Sequence, residues 1–219
     1  MKTDAAFWDG VAPKYGGQAI SDEAAYELTL ERSASYLAPE HRVLELGCGT
    51  GSTALRLAGH VREILGTDIS PKMVEIARGR AAEAEAGNAR FEALDVMAAL
   101  DRAERPDVIM GHNIFHLIED MPAAFPAIHD ALPEGGLFIS KTPCLKDVGA
   151  LKRLAFGALI PLMRVFGKAP RHVSFVTSRA LEAQVEAAGF EIIEALSAPT
   201  ISRYIVARKR QAGMVAAPK

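Results

Sequence analysis

Arg42-Val-Leu-Glu-Leu46 followed by Gly47-Cys48-Gly49-Thr50-Gly51 is the stretch that decides the fold. The first five residues suit a buried strand, and the alternating glycines free the backbone for a tight turn into a short helix near 51–59. Strand, glycine loop and helix N-terminus in that order leave unpaired N–H donors beside a ligand. The dinucleotide pattern G-x-G-x-x-G is not met. Gly47 and Gly49 are in place, but Ser52 stands at the third position and a glycine comes one residue early at Gly51. Glu45 precedes the loop, where its charge opposes a pyrophosphate and favours an ammonium or a sulfonium.

Working outward, strands alternate with helices. Residues 63–67 read as a second strand. Ser70 suits a helix N-cap and Pro71 the first helical position, with Met73, Ala77, Ala81 and Ala84 carrying the helix to about 86. Further strands are expected at 89–94, 107–110 and 136–140, with a helix at 121–132. Ser178 suits the cap of a helix through Leu181, Val185 and Ala188, stopped by Gly189. The last two strands, 191–196 and 201–207, have only 197–200 between them, so they form a hairpin and the final strand runs antiparallel. Before all of these, Ala25, Leu28, Tyr36 and Leu37 suit one side of a helix at 22–37 that Pro39 stops. The expectation is an α/β chain: a Rossmann-like, doubly wound seven-stranded sheet, mostly parallel with an antiparallel last strand, and helices on both faces.

Composition fits this. Of 219 residues, 49% are apolar and 24% charged, which excludes a disordered chain, a collagen-like fibre and a disulfide scaffold. The 25 basic and 27 acidic residues leave a net charge of -2, so no chain-wide attraction to nucleic acid is expected. Cys48 and Cys144 are too few for a disulfide framework or a zinc cluster, and no metal site is expected. A reducing, cytoplasmic setting follows, since residues 1–10 lack the apolar run of a secretory signal. The longest apolar run, 154–163, is about half of the roughly 20 residues that span a bilayer, so no transmembrane segment is expected.

Three carboxylates stand out. Glu45 precedes the glycine loop. Asp68 ends the second strand, 21 residues after Gly47, where it suits the two hydroxyls of a ribose. Asp95 ends the third strand and suits either an adenine amino group or a helix cap. With His112 past the fourth strand, polar residues stand at four strand ends, where open α/β sheets bind ligands.

Together these residues resemble the class I S-adenosylmethionine-dependent methyltransferases, in their small-molecule branch. The resemblance rests on VLELGCGTG at 43–51, GTDIS at 66–70, ALDV at 93–96, PDVIMGHNIFHLIED at 106–120 and LPEGGLFISK at 132–141. The segment from Phe7-Trp8-Asp9 to Tyr15 also looks like that branch, so the likeness covers nearly the whole chain. It implies S-adenosylmethionine as cofactor, with S-adenosylhomocysteine as product. By the same resemblance Glu45, Gly47, Cys48, Gly49 and Gly51 face the methionine end, with Cys48 as loop filler rather than nucleophile. Asp68 holds the ribose, Ile69 packs on the adenine, Asp95 and the Val96 N–H meet its edge, His112 and Asn113 lie beside the sulfonium, and Tyr15 closes over it.

Methyl transfer needs a base only if the attacking atom must lose a proton. His116 is the first candidate and His112 the second; a loop hydrogen bond is the alternative for either. The organisation expected is an N-terminal helical cap at 1–40 and a Rossmann-like domain at 41–143 and 176–210. An inserted lid at 144–175 and a frayed tail at 211–219 complete it. The lid segment carries Lys146, Lys152, Arg153, Arg164, Lys168 and Arg171 against Asp147 alone, among Leu, Ile, Phe, Met and Val. It suits a lid for an apolar or anionic amphiphile with peripheral contact to a membrane surface, or else a helix pair on the domain or a dimer interface. No Asn/Asp-Pro-Pro-Tyr/Phe block of amino-group DNA and protein methyltransferases follows the fourth strand. A small-molecule or lipid-like acceptor and a monomer or homodimer are therefore expected. The other readings are a nicotinamide-dependent oxidoreductase and a non-catalytic cofactor-binding or interaction protein.

Overall fold

The computed structural model describes residues 4–17, 22–198 and 201–210. The tail at 211–219 and part of the hairpin turn, 199–200, lie outside the described residues. β1 (Arg42–Leu46) has β2 (Glu63–Asp68) and then β3 (Ala89–Ala93) on one side. β4 (Val108–His112) and β5 (Leu137–Pro143) lie on the other, all five strands parallel. β6 (Phe190–Ala198) forms the far edge, and β7 (Ser202–Lys209) inserts between β5 and β6, antiparallel to both. This is the Rossmann-like seven-stranded sheet the sequence called for. Strand order reverses between β1 and β4, and the cleft outside the carboxyl ends at that point is where such sheets take ligands.

The period-two pattern of the strands builds a core on each face. Val43, Val108, Ile139 and Val206 point one way, into a core shared with α2 (Glu23–Ala34), α3 (Ser52–Leu57) and α4 (Pro71–Glu83). Their neighbours Leu44, Ile109, Phe138 and Ile205 point the other way, onto α5 (Val96–Asp101), α6 (Met121–Ala131) and α8 (Ser178–Ala187). Phe138 anchors this second core. Its ring centroid lies 5.3 Å from Phe115, 5.9 Å from Phe125 and 5.6 Å from Phe190. α1 (Asp4–Gly17) packs on α4, and α7 (Ala150–Val165) follows β5.

Local details depart from the sequence expectations. The helix expected at 22–37 ends at Ala34, because Tyr36 N–H and Leu37 N–H bond to Ser33 and Ala34 carbonyls in a tighter turn. Leu28 is exposed, whereas Ala25 is buried as expected, together with Thr29, Leu30 and Ser33. α4 stops at Glu83 and the chain reverses through Glu85, whose φ is 52°. α5 was not expected; Asp95 caps it by accepting the Ala98 N–H at 2.9 Å. Thr177, not Ser178, caps α8, through its hydroxyl and the Ala180 N–H. Residues 144–175 hold the single helix α7 rather than a pair.

Phe138→Ala should cost about 3–5 kcal/mol of stability, since it empties the hub of the aromatic core. Leu151→Ala on the outside of α7 should stay within about 0.5 kcal/mol. Urea denaturation of both variants measures the difference.

Candidate functional site

The glycine loop shapes the cleft through its backbone. Gly47, Gly49 and Gly51 have φ of 67°, 53° and 78°, the left-handed region where a side chain is strained. A Cβ on Gly47 would stand 2.7 Å from Ile114, and one on Gly51 would stand 2.9 Å from Ala77 and Phe91. Gly51 therefore serves the approach of the loop to α4 and β3, and it lines neither cavity described below. Opposite the loop, Asn113 is also left-handed, with φ 60°, and its N–H donates to the Lys141 carbonyl at 2.7 Å. Asn tolerates this conformation better than most residues.

Asp68 ties the loop to the next strand. One carboxylate oxygen accepts the Gly49 N–H at 3.0 Å and the other accepts the Ser70 N–H at 2.9 Å. Burial raises its pKa, and these two bonds work against that rise. α1 is fastened over the same region at two points. Asp9 accepts from the Ser70 hydroxyl (2.6 Å) and the Lys72 N–H (3.1 Å). Arg80 donates to the Thr50 hydroxyl at 2.8 Å and also reaches the Gly16 carbonyl.

Two adjoining cavities meet at Tyr15, Gly47, Gly49, His112 and Asn113. The first, about 250 Å³, runs past Asp68, Ile69, Asp95 and Val96 to an apolar mouth of Trp8, Leu117, Ile118 and Pro170. The second, about 460 Å³, holds Glu45, Cys48, Tyr26, Arg80 and Lys141. The structure thus brings together every cofactor residue expected from sequence except Gly51. Asp95 is both cap and wall. His112 borders both cavities, while His116 lines neither; its carbonyl accepts the Ser174 N–H at 2.6 Å.

Electrostatics mark the second cavity. Glu45 is 2% exposed and its Oε2 has no partner, so burial raises its pKa to about 8. Both ring nitrogens of His112 are buried and unpartnered. Burial first, and the Lys141 charge second, lower its pKa to about 4. His116 is lowered to about 4 by burial, and its Nδ1 has no partner. Burial lowers the pKa of half-buried Lys141 as well. Cys48 is buried and its thiol is raised far from reactivity, in keeping with a filler role. Sequence reasoning missed Lys141, Trp8, Tyr26 and Arg80. The signal for Lys141 was a charge on a largely buried strand, in register with His112 on β4.

A model of a methyltransferase domain matches residues 19–195. The chain belongs to the methyltransferase-domain family. The likeness of its motifs to class I S-adenosylmethionine-dependent methyltransferases is thereby upheld. Among curated relatives, a ubiquinone biosynthesis O-methyltransferase of Methylobacterium nodulans is 28% identical over 156 residues, 69% of this chain and 60% of that protein. An uncharacterized methyltransferase of Bacillus subtilis, YcgJ, is 32% identical over 100 residues, 46% of this chain and 40% of that one. The chain therefore spans less than two thirds of the length of these relatives. In fold it is similar to the N-methyltransferase NodS from Bradyrhizobium japonicum. That structure is a complex with S-adenosylhomocysteine, with a TM-score of 0.71 and 17% identity, covering 96% of this chain and 100% of that one.

The cleft fits the family's cofactor on its own chemistry. The buried, unpartnered Oε2 of Glu45 suits an ammonium, and at Gly49, where a Cβ would meet only Tyr15 at 3.8 Å, the loop backbone is open to a ligand.

Glu45 gives a stability test. Its folded pKa lies above its ordinary 4.5, so its contribution is full below 4.5 and is lost as pH rises through about 8. The two histidines act oppositely: their contribution is full above 6.5 and is lost as pH falls towards about 4. Relative to Glu45→Gln, the wild type should lose stability between pH 4.5 and 8, read as the difference in urea midpoints across that range.

Proposed function

We propose that this chain transfers a methyl group from S-adenosylmethionine to a small, apolar or amphiphilic acceptor by in-line displacement. The observation that supports it most is the row of carboxylates along the cleft, with Glu45 buried and its Oε2 without a partner at one end. The bound cofactor would supply an activated methyl on a sulfonium. Glu45 and the Gly47–Gly49 backbone would hold the amino-acid end, and Asp68 the ribose hydroxyls. Ile69, Asp95 and the Val96 N–H would hold the adenine. Tyr15 and the rest of α1 would cover it from the N-terminal side. Covering the site excludes water and fixes the line of attack, which is most of what the protein must do.

His112 is the better placed of the two histidines for the attacking atom, because it borders both cavities. Neutral at pH 7, it can accept a hydrogen bond or a proton from that atom, and Lys141 beside it stabilises negative charge that develops there. His116 serves the loop that carries the mouth. The apolar mouth of Trp8, Leu117, Ile118 and Pro170 supports an apolar or amphiphilic acceptor. Both cysteines are free and buried, which supports a reducing, cytoplasmic setting. Two observations stand against a nicotinamide dinucleotide: the loop misses the G-x-G-x-x-G spacing, with Ser52 at the third position, and Glu45 could not ionise beside a pyrophosphate without facing its charge.

Asp68→Ala should weaken S-adenosylhomocysteine binding by about 1–3 kcal/mol, the loss of charge-assisted hydrogen bonds to the ribose. Unchanged affinity in a calorimetric titration removes the ribose assignment. His112→Ala should lower turnover and leave that affinity within about twofold, whereas His116→Ala should keep both. In the wild type the acid limb of kcat should fall near pH 4 rather than near 6.5. A limb near 6.5 that survives His112→Ala returns His112 to a structural role.

A further inference from the structure

α7 turns an apolar side to solvent. Leu151 is 82% exposed, Leu154 73%, Leu162 56% and Val165 81%, with exposed Ala155 and Ala158 between them. Residues three, four and seven apart share one side of a helix, so these form a continuous stripe. The half-buried residues Phe156, Ile160 and Met163 occupy the side towards the domain. Monomeric proteins rarely leave so much contiguous apolar surface bare without using it. Gly157 and Pro161 also weaken the helix on its own, so a surface that binds the stripe would stabilise it.

Charge decides what covers it. Residues 148–181 carry Lys152, Arg153, Arg164, Lys168, Arg171 and Arg179 and no acidic residue. Two copies meeting stripe to stripe would bring two such basic segments together, which Coulomb repulsion opposes. An anionic lipid surface satisfies both features, the stripe by its acyl region and the basic residues by its headgroups. At 1.5 Å per residue the 16-residue helix is about 24 Å long. Among the described residues, no helix is long and apolar enough to cross a membrane, so α7 would lie in the plane of the surface.

The helix is also joined to the site. The chain that leaves it reaches Pro170, which walls the first cavity beside Trp8 and Leu117. The Arg171 N–H donates to Asp4 on α1, and the Ser174 N–H to the His116 carbonyl, fastening this connection to both sides of the mouth. We propose that α7 docks on an anionic bilayer surface and so presents the mouth of the cavity to an amphiphilic acceptor held in that bilayer. The docking stands on α7 alone; the acceptor rests on the function proposed above.

The test is flotation of the purified chain with vesicles of phosphatidylcholine, with and without phosphatidylglycerol. Leu151→Glu/Leu154→Glu/Leu162→Glu and Arg153→Gln/Lys168→Gln/Arg171→Gln variants run alongside. S-adenosylhomocysteine affinity and sedimentation velocity are measured on each. The expected result is binding to anionic vesicles at least about tenfold above neutral ones, weakened by salt, and lost by about tenfold in both variants with cofactor affinity unchanged. No binding, or equal binding to both vesicles, overturns the proposal. A wild-type dimer that the leucine variant dissociates overturns it too, because a second copy then covers the stripe. Anionic binding by a chain with no affinity for S-adenosylhomocysteine upholds the docking and overturns the acceptor.

Discussion

The Gly49 N–H donates to the Asp68 carboxylate between the ends of β1 and β2, beside the switch point of the sheet, and the site depends on that bond. It joins the loop after β1 to the end of β2. The second Asp68 oxygen accepts from Ser70, whose side chain caps α4 by accepting the Met73 N–H. One carboxylate thus sets the path of the glycine loop, the start of α4 and, through Ser70 and Asp9, the seat of α1. The positive φ at Gly47, Gly49 and Gly51 is tolerable because the residues are glycine and because this network over-determines their path.

On this frame the protein places groups that are costly to bury. Glu45 and His112 lie within the fold with polar atoms unpaired. A stable core alone would not select them, since unsatisfied buried polar atoms each cost about 1–3 kcal/mol. Their burial has one common result: Glu45 is held in a proton-bearing form and His112 in a neutral one until a ligand supplies charge. A cation beside Glu45 draws off its proton and gains a low-dielectric partner. The same cavity offers Lys141 to developing negative charge, so opposite signs are stationed at separate points of one cleft.

Much of this was legible in the sequence. The alternation of strands and helices gave the sheet, and the short connection expected at 197–200 gave its antiparallel member. The motif spacing gave Asp68, Asp95 and His112 at strand ends, because ligand placement in such sheets follows from topology. What was not legible depends on packing across the chain. His116 stands near His112 in sequence, yet the turn at Phe115–Leu117 takes it out of the cavity walls. Gly51 reads as part of a ligand loop, but its constraint comes from Ala77 and Phe91. Lys141, Tyr26 and Arg80 reach the cleft from β5, α2 and α4, and no local pattern announces that meeting. α7 was legible as basic and apolar, whereas which side faces outward is set by how it sits on the domain.

If the proposed function holds, this cleft selects a cofactor with a cationic amino-acid end over one with a pyrophosphate. Side-by-side calorimetric titration with S-adenosylmethionine, S-adenosylhomocysteine and NADH tests it most directly. The first two should bind, with a proton released below pH 8 that Glu45→Gln abolishes, and NADH should not bind. NADH binding without the sulfur compounds would contradict it.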